Sequence, residues 1–283
     1  MQHRFHVHFS AATSALAGLG IVLTAGVVLL ALFGQEPVAL ALAATLAATT
    51  PLLIARAWYR LHKLHRHAQQ HLETAEQAER HYFIVLCEVV NVLERRDVRL
   101  AGRSERIAQL VAQMAPRLGL PPARVELLAM VARVHDIGLL SVNPQVLNKP
   151  TGLSGGEFNA VKDHCLVGVG ILQPLTFLQP VLGAVRSHHE RMNGTGYPEG
   201  LRAEDIPLEA RILAVADSFD AMTHDRPHRR ALTVRQSMGE LIHCAGSGYD
   251  EACVKALAAV TNTEDLLVVE TAAPSEDVVP VRV

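Results

Sequence analysis

Residues 188–198 read His-His-Glu-Arg-Met-Asn-Gly-Thr-Gly-Tyr-Pro, and a His135-Asp136 pair stands about fifty residues upstream. Two adjacent histidines followed by a glycine-broken loop closed by Tyr-Pro suit neither a solvated helix face nor an ordinary core. Imidazole nitrogens hold transition metals and carboxylates can bridge two of them, so His135, Asp136, His188, His189 and the later Asp217 make the donor set of a divalent metal cluster. Any fold the chain adopts must bring these separate segments to one point.

The segments around them read as helices. Ile107, Leu110, Val111 and Met114 recur at helical spacing within 102–118, and Pro121-Pro122 begin a second helix. The apolar face of that helix, Val125, Leu128, Val131 and Ala132, leads directly into His135 and Asp136. Further helices are predicted at 154–173, 180–189, 207–222, 234–245 and 249–261. Strand signals are nearly absent and no internal repeat occurs, so the expectation is an all-α fold. The last stretch, 263–283, mixes prolines with acids and is expected to be a flexible tail.

Ahead of this region the sequence changes character. Residues 11–33 and 38–55 carry no charge, and each run is about long enough to cross a ~30 Å hydrocarbon core as a helix. Gly34-Gln35-Glu36-Pro37 makes a tight turn between them, giving a hairpin of two transmembrane helices at about 11–33 and 38–57. The alternative is a cleaved signal peptide followed by a buried helix, but a second apolar span directly after the first is hard to place in a soluble fold. Arg56, Arg60, Lys63 and Arg66 crowd the exit of the second span while the turn holds only Glu36. The positive-inside rule then places both termini in the cytoplasm of a multi-pass inner-membrane protein. The turn is too short to bind a ligand, so no sensor domain is evident. The net charge of −2 argues against a nucleic-acid polymer as partner. The four cysteines show no Cys-x-x-Cys spacing and are most simply buried thiols in a reducing compartment.

Between the apolar runs and the histidines, Leu61, Leu64, Ala68, His71, Ala75, Ala78, Tyr82, Val85, Val89 and Val92 alternate spacings of three and four. This is a heptad seam over a juxtamembrane helix, 58–90. It reads either as one amphipathic helix lying on its own domain, best from Tyr82 onward, or as a parallel two-stranded coiled coil. No globular partner precedes 61–78, which favours the coiled coil there and hence a homodimer. Small alanines and His71 would leave it weakly packed, and marginal packing can shift between arrangements, as a signal-transmitting element requires.

Many further sequence words occur in one order over about 170 residues. They are Glu94-Arg95-Arg96-Asp97, His135-Asp136-Ile137-Gly138, Lys149-Pro150, Val161-Lys162-Asp163-His164, the 188–198 run, Ile206-Pro207-Leu208 and Ala210-Arg211-Ile212. The last is Val215-Ala216-Asp217-Ser218-Phe219-Asp220-Ala221-Met222-Thr223, followed by Asp225-Arg226-Pro227. Together, over 91–262, they resemble the HD-GYP domain, a branch of the HD metal-dependent phosphohydrolases that cleaves the bacterial second messenger cyclic di-GMP. The resemblance implies an HD-domain-like helical bundle with the HD-GYP extension and one or two divalent transition metals, Fe or Mn. It implies that Asp136 bridges the metals, that His164, His188 and His189 complete one site, and that His135 and Asp217 serve the other. His135 and Asp136 are then the catalytic pair, and Tyr197, Arg226 and Arg229 the phosphate and guanine contacts. A diguanylate cyclase domain is an implied protein partner. The 193–198 loop has two readings: a backbone device built on its glycines, or a lip that touches substrate or partner.

Two departures cut across that pattern. Where the family has Gly-His-Ser, this chain has Gly102-Arg103-Ser104, and an arginine, always protonated, cannot ligate a metal. Arg103 either stands in for a metal as a fixed positive charge between the carboxylates, or swings out to solvent and leaves a weakened site. Leu139 replaces the family lysine that reaches a substrate phosphate. Smaller changes are Asn193 for an aspartate, Gly152 for a common lysine and His228 for a tyrosine. Two functions remain open at this point. One is a cyclic di-GMP phosphodiesterase yielding linear pGpG or GMP, favoured by the intact His164, His188 and His189. The other is a degenerate regulator that binds nucleotide or a protein partner without turnover, favoured by Arg103 and Leu139.

Overall fold

Helix-spaced apolar residues give a helical chain in the computed structural model, which describes residues 37–95, 100–147, 149, 151–225 and 229–269 with six scattered positions between 18 and 29. Among the described residues there is no β-strand, only isolated bridges such as Asn193 with Arg202 and Ala245 with Tyr249. The chain divides into two units, the first ending at Ala78 and the second beginning at Glu79.

The first unit is dominated by the opening part of a long helix, α1 (Pro37–Glu94). Among the described residues no helix is long and apolar enough to cross a membrane. The predicted first span, 11–33, falls almost wholly outside the described residues. The second, 38–57, lies in α1, with several of its side chains also outside the description. Farther along, Leu61, Leu64, Ala68, His71, Ala75 and Ala78 are all exposed within this unit among the described residues.

Beyond Ala78 the predicted seam is not the face that packs. Tyr82, Val85 and Val92 are exposed, whereas Phe83, Leu86 and Val90 are buried, with Cys87 and Val89 partly so. The period was right and the phase was one residue off. Positions 83, 86 and 90 also alternate three and four, and Phe83 wins because its ring meets Phe177 edge-on at 6.0 Å. The Glu79 carboxylate fastens the same stretch by accepting bonds from the Thr176 backbone N–H (2.8 Å) and hydroxyl (3.0 Å).

In the second unit, α2 (Arg103–Arg117) packs against α3 (Pro122–Ala132), and a 3-10 turn (Ile137–Ser141) follows. After α4 (Pro144–Leu147), the predicted helix 154–173 proves to be two, α5 (Gly155–Lys162) and α6 (His164–Leu172), separated at Asp163. The break follows burial. The first half, capped by a Ser154–Glu157 box, buries no residue, while the second buries His164, Cys165, Gly168 and Leu172. The predicted helix 180–189 is a 3-10 turn (Thr176–Val181) running into α7 (Leu182–Ser187). A further 3-10 turn, Ala203–Asp205, precedes α8 (Leu208–Thr223), which is buried on nearly every side from Ala210 to Met222 and touches α2, α7, α9 (Val234–His243) and α10 (Glu251–Thr261). A helix apolar all round belongs at the centre of its bundle, and this one carries Asp217. The expected tail begins later than 263. Thr263 is buried and α11 (Asp265–Val269) packs Leu266 and Leu267 on the core, while 270–283 lie outside the described residues.

Candidate metal centre

Four helices deliver the donors. His135 and Asp136 sit where α3 ends, His164 opens α6, His188 and His189 follow α7, and Asp217 projects from the middle of α8. Two of these segments meet as closely as they do because Gly138 has no side chain. A Cβ on Gly138 would lie 2.7 Å from the Gly168 nitrogen and 2.8 Å from the His164 carbonyl carbon. That approach draws the turn after Asp136 onto the first turn of α6.

Three imidazoles are aimed by one repeated device. The Nδ1 of His135 bonds to the Ala132 carbonyl at 2.8 Å, that of His164 to Val161 at 2.6 Å, and that of His188 to Val185 at 2.8 Å. Each bond fixes Nδ1 as the protonated nitrogen and turns Nε2 inward, the arrangement that orients metal-binding histidines. Asp136 receives them on both oxygens. Its Oδ1 is 3.5 Å from His164 Nε2 and 3.6 Å from His188 Nε2, and its Oδ2 is 3.2 Å from His135 Nε2. Asp136, His164, His188 and His189 form one set with donor atoms within 4.8 Å of one another, and His135, Asp136 and Asp217 form a second. Asp136 is common to both.

The donor chemistry fits a cation. Buried polar atoms are nearly always bonded, yet His188 Nε2 is buried without a hydrogen-bond partner and points into the cluster, and His135 Nε2 faces the carboxylates of Asp136 and Asp217 without a well-aligned bond to either. Burial opposes charge on His135, but Asp136 and Asp217 outweigh it and raise its pKa to about 10. Burial also works against a charged His164, and Asp136 again prevails, raising it to about 10. His188 and His189 are pushed down by burial. Burial favours neutral Asp136 and Asp217, yet His135 and Arg103 hold both well below the usual carboxylate range. Protons and a guanidinium balance the carboxylates here, which is the task a metal ion performs when such a site is loaded.

Arg103 is turned inward. Its Nη1 donates to Asp136 Oδ2 at 3.0 Å and its Nη2 to Asp217 Oδ1, so the fork spans the two carboxylates of the second donor set. Its backbone is held by the first turn of α2, where Gly102 takes a left-handed conformation (φ 71°) and the Glu94 carboxylate accepts from the Ser104 N–H at 2.8 Å.

The other predicted residues divide. Tyr197 joins the cluster, its ring stacked on His189 at 4.8 Å, with Phe158 edge-on at 6.1 Å and the Lys162 ammonium 5.7 Å above it. Arg229 donates to the Ala221 carbonyl at 2.9 Å, closing the end of α8 rather than meeting the donors. Arg226 lies outside the described residues, as do Arg96, Asp97, Pro150, Pro227 and His228. Leu139 is half-buried on the 3-10 turn directly after the His-Asp segment.

Glu190 was missed. Buried behind the histidine pair, its carboxylate accepts from the backbone N–H groups of Glu199 (2.7 Å), Gly200 (3.0 Å) and Leu201 (3.1 Å). It thereby folds the 193–200 loop back over the site. Gly196 makes this possible, since a Cβ there would stand 2.5 Å from the Arg191 nitrogen. The available signal was a carboxylate written directly after His-His, which the metal reading left without a task.

A family model for the HD domain matches residues 88–253. The chain is 36% identical over 191 residues to the cyclic di-GMP phosphodiesterase response regulator RpfG of Xanthomonas campestris, covering 67% of this chain and 50% of that protein. It is 34% identical over 190 residues to a cyclic di-GMP phosphodiesterase of Thermotoga maritima, covering 65% and 52%. It is 32% identical over 171 residues to a 3'3'-cGAMP-specific phosphodiesterase of Vibrio cholerae, covering 60% and 37%. The chain thus spans about half the length of the first two relatives and less of the third. Matched over more than half its length, and carrying the donor cluster at the matching words, the chain belongs to the HD domain family, in its HD-GYP branch.

Proposed function

We propose that this protein is a metal-dependent phosphodiesterase of cyclic dinucleotides, with cyclic di-GMP as the first substrate to test. The observation that carries the reading is the convergence of inward-turned histidine nitrogens on both oxygens of Asp136. His164, His188, His189 and Asp136 would hold a divalent transition metal, iron or manganese being the expected ions. Such an ion supplies Lewis acidity and lowers the pKa of a water, so that a nucleophile exists at neutral pH.

The protein's own groups do the rest. Asp136 sets the spacing of the histidines, and its low pKa keeps it ionised at any physiological pH. Tyr197, half-buried and stacked on His189, offers a flat wall for a base beside the donors. Lys162 holds a positive charge over the rings of Phe158 and Tyr197, placed to attract a phosphate to that wall. Arg226 and Arg229 are proposed as contacts to the phosphates and guanines of the substrate, on the strength of the family resemblance alone.

The same reading places the protein in the inner membrane, on the strength of the uncharged runs 11–33 and 38–55 and the basic cluster after them. It makes the exposed seam from Leu61 to Ala78 the contact between two copies, with a diguanylate cyclase domain as a further partner. The degenerate-regulator reading is favoured by one observation, the guanidinium of Arg103 lying across Asp136 and Asp217. Incubating the full chain, loaded with Mn²⁺ or Fe²⁺, with cyclic di-GMP and with 3'3'-cGAMP decides between them. Linear pGpG or GMP is the expected product. Tight nucleotide binding without product would establish the regulator instead.

A further inference from the structure

We infer that the Arg103 guanidinium occupies the place of a second metal, so that this centre holds a single ion in the Asp136, His164, His188 and His189 set. The inference rests on the metal-binding part of the proposal above and deepens it.

Three features support it. The two Nη atoms meet Asp136 Oδ2 and Asp217 Oδ1, the oxygens nearest to His135 Nε2 at 3.2 and 3.7 Å. The fork therefore fills the space where the second donor set converges. The backbone that carries the side chain is also fixed. Its first-turn backbone is tied by Gly102 and by Glu94 through Ser104, and its Nε lies 4.0 Å from Asp220 Oδ2. Arg106 already satisfies Asp220 through bonds of 2.6 and 3.2 Å, so Asp220 has no need to draw Arg103 away.

Asp136, finally, is shared out. Oδ2 faces Arg103 and His135, leaving Oδ1 to His164 and His188. One divalent ion at Oδ1 together with the guanidinium already exceeds the charge of the two carboxylates. A second dication would then sit against a fixed cation inside a buried site, where like charges repel strongly. Arg103 acts in this scheme as a positioning residue: its fork ties Asp136 Oδ2 to Asp217 Oδ1 and leaves Asp136 Oδ1 free to face His164 and His188.

The test uses the full chain loaded with Mn²⁺ and read by elemental analysis and electron paramagnetic resonance. The parent protein should retain about one Mn²⁺ per chain with the six-line spectrum of an isolated ion. Arg103→His returns an imidazole and removes the charge, and should raise the content to about two with an exchange-coupled spectrum. Arg103→Lys keeps the charge and should stay at one. A parent protein with two coupled ions overturns the inference, as does a folded Arg103→His protein that still takes only one. No retained metal overturns the inference and the metal reading together. Hydrolysis measured on the same preparations separates this from the proposed activity. One ion without product leaves the inference standing and defeats the enzyme reading, whereas two ions with product does the reverse.

Discussion

Replacing Gly138 by alanine would put a methyl group where backbone already stands. The new Cβ would be 2.7 Å from the Gly168 nitrogen and 2.8 Å from the His164 carbonyl carbon, and nearer still to the His164 oxygen. Ordinary van der Waals contact begins near 3.4 Å, so clearing the Gly168 nitrogen alone needs about 0.7 Å, and clearing the nearer His164 oxygen needs about twice that. No flexible side-chain end is available to absorb this. Overpacking of a tight core costs about 1–3 kcal/mol, and a rigid backbone obstacle places this case at about 3 kcal/mol. For a domain of this size that is a fall in Tm of roughly 6–12 °C. The same displacement pulls Asp136 from His164, whose facing atoms are 3.5 Å apart, so metal retention should fall with stability. Gly170 is the internal control: it lies in the same helix with nothing within 4 Å of its missing Cβ. Gly170→Ala should be neutral or stabilising by about 0.5–1 kcal/mol through helix propensity. Thermal melts and metal content of the two variants decide the matter. Equal Tm values for the two would refute the claim that this glycine contact assembles the site.

Three other outcomes can be measured. Glu190→Gln should destabilise by about 2 kcal/mol, because charge-assisted bonds from three backbone N–H groups to a buried carboxylate are weakened, and amide exchange should rise at 199–201; unchanged exchange there would count against the tether. Metal binding should release about one proton per ion at pH 7, since His164 is protonated up to about 10 without metal and must be neutral to ligate, whereas His188 and His189 are already neutral. Affinity should accordingly climb as pH rises toward 10 and weaken in acid; a pH-independent affinity with no proton release would contradict the assignment of His164. Cysteines introduced at Leu64 or Ala75 should cross-link between copies far more readily than cysteines at Gln70 or Gln77, and equal yields on both faces would reject the seam.

How far these features could be read in the sequence depended on the distance over which each is decided. The donors His135, Asp136, His164, His188, His189 and Asp217 were legible because metal chemistry restricts each to a few residue types. Arg103 was legible as a departure, but not its outcome. Whether it points inward is settled by Asp217, 114 residues later. The packing helix beyond Ala78 illustrates a different limit. Its three-four period is local and readable, yet the choice between the Tyr82 and Phe83 stripes belongs to Phe177, far along the chain. The division of 154–173 at Asp163 was hidden because both halves carry helical spacing and differ only in what covers them. In the same way Leu266 and Leu267, a short apolar pair in an acidic stretch, gave no sign that the core would claim them.

The aiming of the histidines sets up a division of labour between helix and loop. His135, His164 and His188 each take their orientation from a carbonyl three residues earlier in the same turn, so they keep their bearing whatever the loops do. Among the described residues no carbonyl plays that part for His189, whose ring rests on Tyr197 of the 193–200 loop. Three donors are therefore insulated from the rim of the site and one is tuned by it. Grafting a different loop onto this bundle would change what the site admits while sparing most of its grip on metal. Anything that prises Tyr197 from its place would reach the cluster through His189 alone, which gives the rim a private line to the centre.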